Sequence, residues 1–367
     1  MSKLTLLFIL SVTSIAFVKA GINVTNIDGC PALTPRASPV SVHDLRVDDI
    51  KVVGALGDSI TAGFGILSID KSDPSLVNML DVFKEYRGLS YSIGGEKGAF
   101  TIPNYVKHYQ PNVTGYSVGV HLAESCNDQP NQDMLNAAQS GAVAKNLDHE
   151  VNYLLERIRS IEGIDFQNDW KMINIQIGSN DMCGACNTTF MNEVTPEKFG
   201  NYVEAAVEKI QKNIPRALVN LIGTFNVSQI FPLTFNQSYC GFTSNISSQT
   251  NIQECPCAAT SEGLKKMTEL STAYNKELFA IYEKYEKDKL TNFTVVYQQS
   301  NLNFSGFPVD FFSNLDCFHP GIKGHQWVSK VIWNQLFSPQ ALKPKVFNFQ
   351  ENATIYCPVD SDRIATD

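Results

Sequence analysis

Five stretches of the chain hold their apolar side chains in short, nearly unbroken runs: Ile50–Gly57, Met134–Ala142, Trp170–Gly178, Ala217–Phe225 and Phe293–Gln298. Runs of this length that end in glycine or polar residues read as strands buried on both faces of a parallel sheet. Between them apolar residues recur at helical spacing. Leu76, Leu80 and Phe83 mark a helix over Ser75–Tyr86, and Val151, Leu154, Leu155 and Ile158 mark one side of Val143–Arg159. Pro103 opens a short helix that ends near Gln110-Pro111, and Pro196–Asn213, Gly263–Lys289 and Pro320–Phe337 complete the set. Strands alternating with helices predict an α/β fold: a single-domain, three-layer α/β/α sandwich around a mainly parallel sheet of roughly five strands.

Several segments fall outside this pattern. Residues 1–20 carry Lys3, a mostly apolar stretch from Leu4 to Val18, and the small-residue ending Val18-Lys19-Ala20. That is the form of a cleaved signal peptide, and it is short for a membrane-spanning anchor. Residues 21–49, rich in Pro, Ser and Asp, read as an N-terminal arm, residues 50–340 as the folded domain, and 341–367 as a tail packed on it. Asn226–Ala259 is irregular and contains three cysteines; a loop of that length in a compact domain is functional or stapled. No later segment is apolar enough to span a membrane and the polar end has no lipid-anchor pattern, so no transmembrane anchor is expected.

Secretion changes how the cysteines and asparagines are read. The nine cysteines, Cys30, Cys126, Cys183, Cys186, Cys240, Cys255, Cys257, Cys317 and Cys357, are expected to be oxidised, with the odd one free or paired between chains. A zinc site over Cys183, Cys186, Cys255 and Cys257 is the rival reading, but the Cys-x-Cys spacing is poor for zinc and no paired histidines accompany it. Asn-x-Ser/Thr glycosylation candidates stand at Asn23, Asn112, Asn187, Asn226, Asn236, Asn245, Asn292, Asn303 and Asn352. An extracellular location is therefore expected. The net charge of −8, without a basic cluster, gives no reason to expect nucleic acid or an anionic membrane surface as partner.

The polar residues that end the runs carry the chemistry. Gly57-Asp58-Ser59 follows the first, Gly141 the second, Gly178-Ser179-Asn180-Asp181 the third, and Asp316-Cys317-Phe318-His319 precedes the last helix. In a doubly wound sheet the carboxyl ends of strands converge on one cleft. There Ser59 supplies a hydroxyl, His319 a base that titrates near neutrality, and Asp316 an acceptor for the other ring N–H. The Ser59 and Gly141 backbone N–H groups and the Asn180 amide form a candidate oxyanion hole. Ser59 as a mere helix cap is the plainer alternative. Asp58 and Asp181 are read as loop-holding carboxylates, His325 as a packing histidine, His108, His121 and His149 as surface or core residues, and Cys317 as a disulfide partner or inert thiol.

These four blocks, in this order, resemble the GDSL, or SGNH, hydrolases. Arg87-Gly88-Leu89-Ser90-Tyr91-Ser92-Ile93-Gly94-Gly95, Pro103-Asn104 and Gly324-His325 narrow the resemblance to the phospholipase B branch. It implies a flavodoxin-like catalytic domain over 50–340 and a Ser-His-Asp esterase, with Ser59, Asp316 and His319 catalytic, no cofactor and no metal. It further implies action on glycerophospholipids and lysophospholipids, with transient contact with lipid aggregates. The same constellation serves carbohydrate O-acetylesterases and other small-ester hydrolases, and a binding protein that kept the fold is the non-enzymatic alternative. Leu302–Phe312, with Phe304, Phe307, Val309, Phe311 and Phe312, is read as a partly exposed acyl-binding wall rather than ordinary core.

Overall fold

The structure, a computed structural model, describes residues 21–70, 83–123, 129–240 and 250–367. The expected signal peptide, most of the expected Ser75–Tyr86 helix, Cys126 and Asn245 lie outside the described residues.

A short strand β1 (Ile22–Val24) starts the chain. The central sheet is made of β2 (Ile50–Gly57), β5 (Trp170–Gln176), β6 (Ala217–Ile222) and β7 (Phe293–Gln298), all parallel and in the order β2-β5-β6-β7. Nearly every side chain of these strands is buried, as their continuous apolar runs require. Four strands form the ladder where roughly five were expected. Met134–Ala142 is not the fifth: it runs parallel beside β2 with one bridge, Ala55 to Asn136. Leu135 O accepts from Ala55 N at 3.0 Å, and Ala137 N and Gln139 N donate to Ala55 O and Gly57 O at 2.9 and 3.1 Å, so the β2 edge is covered. The Asn136 side chain accepts from Ala138 N at 3.2 Å, a local turn bond that draws this segment off the ladder.

Helices cover both faces. We number those used below α1 (Ser59–Ala62), α2 (Ile102–Tyr109), α3 (Leu147–Arg157), α4 (Ser179–Gly184), α5 (Pro196–Asn213), α6 (Thr250–Glu254), α7 (Ser261–Asp288) and α8 (Ile322–Gln335). α3 packs on β2 and α5, and α7 on α5 and β7. Gly54 faces Leu154 of α3, where a Cβ would stand 3.1 Å from a leucine methyl. The next sheet position points the other way, and there Asn174 donates to Ser92 O at 2.6 Å on the side of α2 and α8. Across that face Asn220 donates to Asn174 and Gln298 to Asn220, each at 2.8 Å, so three buried amides bridge three strands in one chain of hydrogen bonds.

Differences from the sequence reading have local causes. Lys84–Glu85 is a strand, β3, paired with β4 (His121–Leu122), not the end of a helix. Lateral bonds from Gly65 N to Lys84 O and from Tyr86 N to Gly63 O hold it extended. Phe304, Phe307, Phe311 and Phe312 are at most 3% exposed and pack with Trp327 and Phe349, so this stretch is core and not an exposed acyl-binding wall. An aromatic cluster this large gains more by mutual burial than an open groove would leave it.

Four disulfides tie the loops: Cys30–Cys357, Cys183–Cys255, Cys186–Cys257 and Cys240–Cys317. The cysteines considered for zinc are thus paired with each other. The first bond lies beside the antiparallel pairing of β1 with β8 (Ile355–Cys357), which fastens the arm to the tail. The other three anchor the irregular 226–259 segment to α4 and to the Asp316–His319 turn. Among the described residues no helix is long and apolar enough to cross a membrane.

Candidate active site

β2 ends at Gly57, whose φ of +157° leaves no room for a side chain: a Cβ would lie 2.3 Å from Gln176 O. The chain turns there, and Asp58 caps α1 by accepting from Ile60 N at 3.0 Å. Ser59 therefore stands at the first position of a one-turn helix on the carboxyl edge of the sheet. Its Oγ lies 2.7 Å from His319 Nε2, and His319 Nδ1 lies 2.6 Å from Asp316 Oδ2. Asp316 Oδ1 accepts from the N–H groups of Phe318 and His319 at 2.8 and 2.9 Å, which fixes the carboxylate against the turn it starts. Cys317, at φ +52°, takes a conformation rare for a side-chain-bearing residue, and its disulfide to Cys240 holds it there. Phe64 covers the imidazole, ring centroids 4.8 Å apart.

The other blocks meet at the same edge. The Asn180 amide donates to Ala142 O at 2.9 Å, which brings it to the Gly141 turn and leaves its second N–H available. Asp181 receives Ala144 N with both carboxylate oxygens, at 3.2 and 3.1 Å, and secures the far side of that turn. Gly141 has φ +83° with open space around its Cα, so glycine is required there by backbone conformation rather than by crowding. Ser59, Gly141, Asn180, Asp316 and His319 are thus held by one connected set of turns. His325 lies behind them, accepting from Tyr91 N at 3.1 Å.

Burial sets the charges. It pulls His319 down, but the charge and hydrogen bond of Asp316, with Glu254 and Asp58 further off, outweigh it and raise the histidine to about 9. Burial raises Asp58 to about 6 and Asp181 to about 7. Burial and then the neighbouring His319 charge push His325 down to about 3, so it is a neutral packing group.

Three contributors were not legible in the sequence. Glu150 of α3, fully buried, accepts from Gly57 N at 2.8 Å and supports the turn before Ser59. Arg87 donates to Glu85 at 2.7 Å, lies 3.0 Å from Asp133, and reaches Asn136 O and Ala138 O at 3.1 and 3.0 Å. Ser140 donates to the same Glu85 at 2.5 Å, and His121 pairs with Asp133 at 2.9 Å. This buried cluster fixes the segment that ends in Gly141. The third is Glu254, with Oε2 3.8 Å from His319 Nδ1. Its neighbour Cys255 was a visible signal for a staple, but nothing in sequence placed the carboxylate. Ligand atoms of Glu254, Asp316 and His319 lie within 4.8 Å of one another, yet the His319–Asp316 hydrogen bond occupies the atoms a metal would need.

A one-turn helix that presents a buried serine to a histidine–aspartate pair, on a parallel α/β sheet, defines a serine-hydrolase-like site. The family model described as GDSL-like lipase/acylhydrolase matches residues 53–332, and the chain belongs to this family. It is 34% identical over 344 residues to mouse (Mus musculus) membrane-associated phospholipase B1, covering 90% of this chain and 22% of that protein. To the human (Homo sapiens) phospholipase B1 it is 32% identical over 337 residues, covering 88% and 22%. The chain thus spans only 22% of the length of these relatives. Among solved structures, a variant of the acetyl-xylooligosaccharide esterase Axe2 from Geobacillus stearothermophilus aligns over 79% of this chain and 95% of its own, with 13% identity and a TM-score of 0.42. The extracellular lipase of Streptomyces rimosus aligns over 75% and 94%, with 14% identity and a TM-score of 0.33.

Proposed function

We propose that this protein is a secreted carboxylic ester hydrolase acting on glycerophospholipids and lysophospholipids, with Ser59 as nucleophile, His319 as base and Asp316 as its orienting partner. The observation that carries the proposal is the continuous relay from Ser59 Oγ through His319 to Asp316, at 2.7 and 2.6 Å. Ser59 Oγ attacks the ester carbonyl carbon as its proton passes to His319 Nε2. The oxygen that becomes negative is met by N–H groups of Ser59 and Gly141 and by the second side-chain N–H of Asn180. The imidazolium then protonates the leaving alcohol, and water, activated by the same histidine, releases the acid and restores the serine. Asn180→Ala should lower kcat more than it raises KM, with about 3 kcal/mol of transition-state stabilisation lost. An unchanged kcat would remove Asn180 from the oxyanion hole.

Sequence similarity to phospholipase B1 supports the lipid substrate. So does the apolar surface nearby: Phe64 borders His319 and bridges to Glu85, and at the β3–β4 pair that holds Glu85 the side chains of Phe83 and Leu122 are 59% and 52% exposed. Side chains of that kind suit acyl chains or the surface of a lipid aggregate. The test compares phosphatidylcholine and lysophosphatidylcholine with acetylated xylan on one preparation. Release of fatty acid, faster as the acyl chain lengthens, is expected; rapid deacetylation with no fatty acid released would make the protein a carbohydrate esterase.

The extracellular assignment draws on the 1–20 segment and on the four disulfides. It also draws on the sequons: Asn23, Asn112, Asn187, Asn236, Asn292 and Asn352 are exposed, and Asn226 and Asn303 half-buried. The expressed protein should lose apparent mass on N-glycosidase treatment. A cytosolic product with reduced cysteines would contradict the assignment.

A further inference from the structure

Asp316 is not the sole carboxylate at the Nδ1 side of His319. Glu254 ends the short helix α6, and its Oε2 stands 3.8 Å from the nitrogen that Asp316 approaches at 2.6 Å. The gap is too long for a hydrogen bond, so Glu254 acts on the ring through its charge. Its position is not that of a free loop. The next residue, Cys255, is fully buried and bonded to Cys183 of α4, and Cys257 is bonded to Cys186. Two covalent staples therefore tie the backbone bearing Glu254 to the helix bearing Asn180 and to the residues just after it.

We propose that Glu254 is a positioning residue for His319, a second carboxylate that shares the imidazolium with Asp316 and sets the pH at which the histidine becomes a base. The inference rests on the Ser59–His319–Asp316 reading above. The groups that face His319 are Asp316, Glu254 and, further off, Asp58, with His325 neutral on α8. Glu254 in turn faces Asp316 and His319. Burial and the Asp316 charge raise Glu254 to about 7, against the opposing pull of His319. Once ionised, Glu254 places a negative charge 3.8 Å from His319 Nδ1, and that charge holds the ring proton more tightly. Its side chain is 34% exposed, and water on the open side weakens this hold.

The sign follows directly. Glu254→Gln removes a negative charge beside the imidazolium, so His319 should lose its proton at lower pH. The acid limb of kcat/KM should move down by about half to one pH unit. Activity on the alkaline plateau should fall about two- to fivefold, since the imidazolium of the transition state loses the same charge. Glu254→Asp, which keeps the charge on a shorter arm, should lie between. The experiment measures kcat/KM against pH for the three proteins on a soluble p-nitrophenyl ester, with NMR titration of the His319 ring in each resting protein. A Gln variant that is folded and active, with the wild-type midpoint and ring titration, would overturn the Glu254 role and leave the hydrolase reading intact. A wild-type protein that hydrolyses nothing, but whose ring titration shifts on Glu254→Gln, would sink the hydrolase reading and keep the electrostatic linkage.

Discussion

Ser59→Ala is expected to abolish ester hydrolysis while the protein folds as before. Ser59 is 7% exposed and, among the described residues, the side chain its hydroxyl bonds is the His319 imidazole, so its loss strands no second buried group there. The fold should lose no more than about 1 kcal/mol, the usual worth of one hydrogen bond. Catalysis should fall on the order of 10⁴- to 10⁶-fold, because nucleophile, base and orienting acid work as one unit. For the same reason His319→Ala should be nearly as damaging, and the double variant scarcely worse than either. The readouts are kcat/KM on a soluble ester and urea unfolding of the same samples. A Ser59→Ala protein with full activity would end the nucleophile assignment.

Arg87→Met should be the most destabilising single change near the site. Arg87, Glu85 and Asp133 are each at most 1% exposed, and one guanidinium faces both carboxylates. Replacing it with an apolar side chain of similar length takes the guanidinium from buried Glu85 and leaves Asp133 with the His121 imidazole beside it, at a cost of about 3–5 kcal/mol. Asn136 O and Ala138 O lose their donor as well, so the segment leading to Gly141 should loosen and kcat fall with stability. Arg87→Lys keeps the charge but not the planar fork and should lie between. Equal stability of wild type and Arg87→Met in urea would show that the cluster does not hold this segment.

How much of this was legible in sequence depended on whether the signal was local. Ile50–Gly57 and Phe293–Gln298 are strands with the bounds their apolar runs gave, and Pro196–Asn213 is a helix with the bounds set by its proline and its last polar residue. The Ser59 and Asn180 blocks were visible because each sits at the end of such a run, and the Asp316–His319 block because it stands just before the last helix. What was hidden depended on distant partners. Met134–Ala142 looks like a strand, but Asn136 shares its side chain between the local turn at Ala138 and distant partners, Thr61 O and Ser117. Lys84–Glu85 followed helical spacing, yet lateral bonds and the buried Arg87 pairing make it extended. Phe304 to Phe312 looked like a lipid-facing surface, since apolar sequence alone does not distinguish a groove from a core. Glu254 carried no motif; two disulfides brought it to the histidine.

The central claim is that Ser59 is a nucleophile activated by His319. Its most direct test is to treat the purified protein with a fluorophosphonate probe and map the modified peptide by mass spectrometry. A single adduct on Ser59, absent after His319→Ala and formed faster as pH rises toward about 9, is the expected result. No adduct in a folded protein, or labelling of another serine at the same rate, would contradict it.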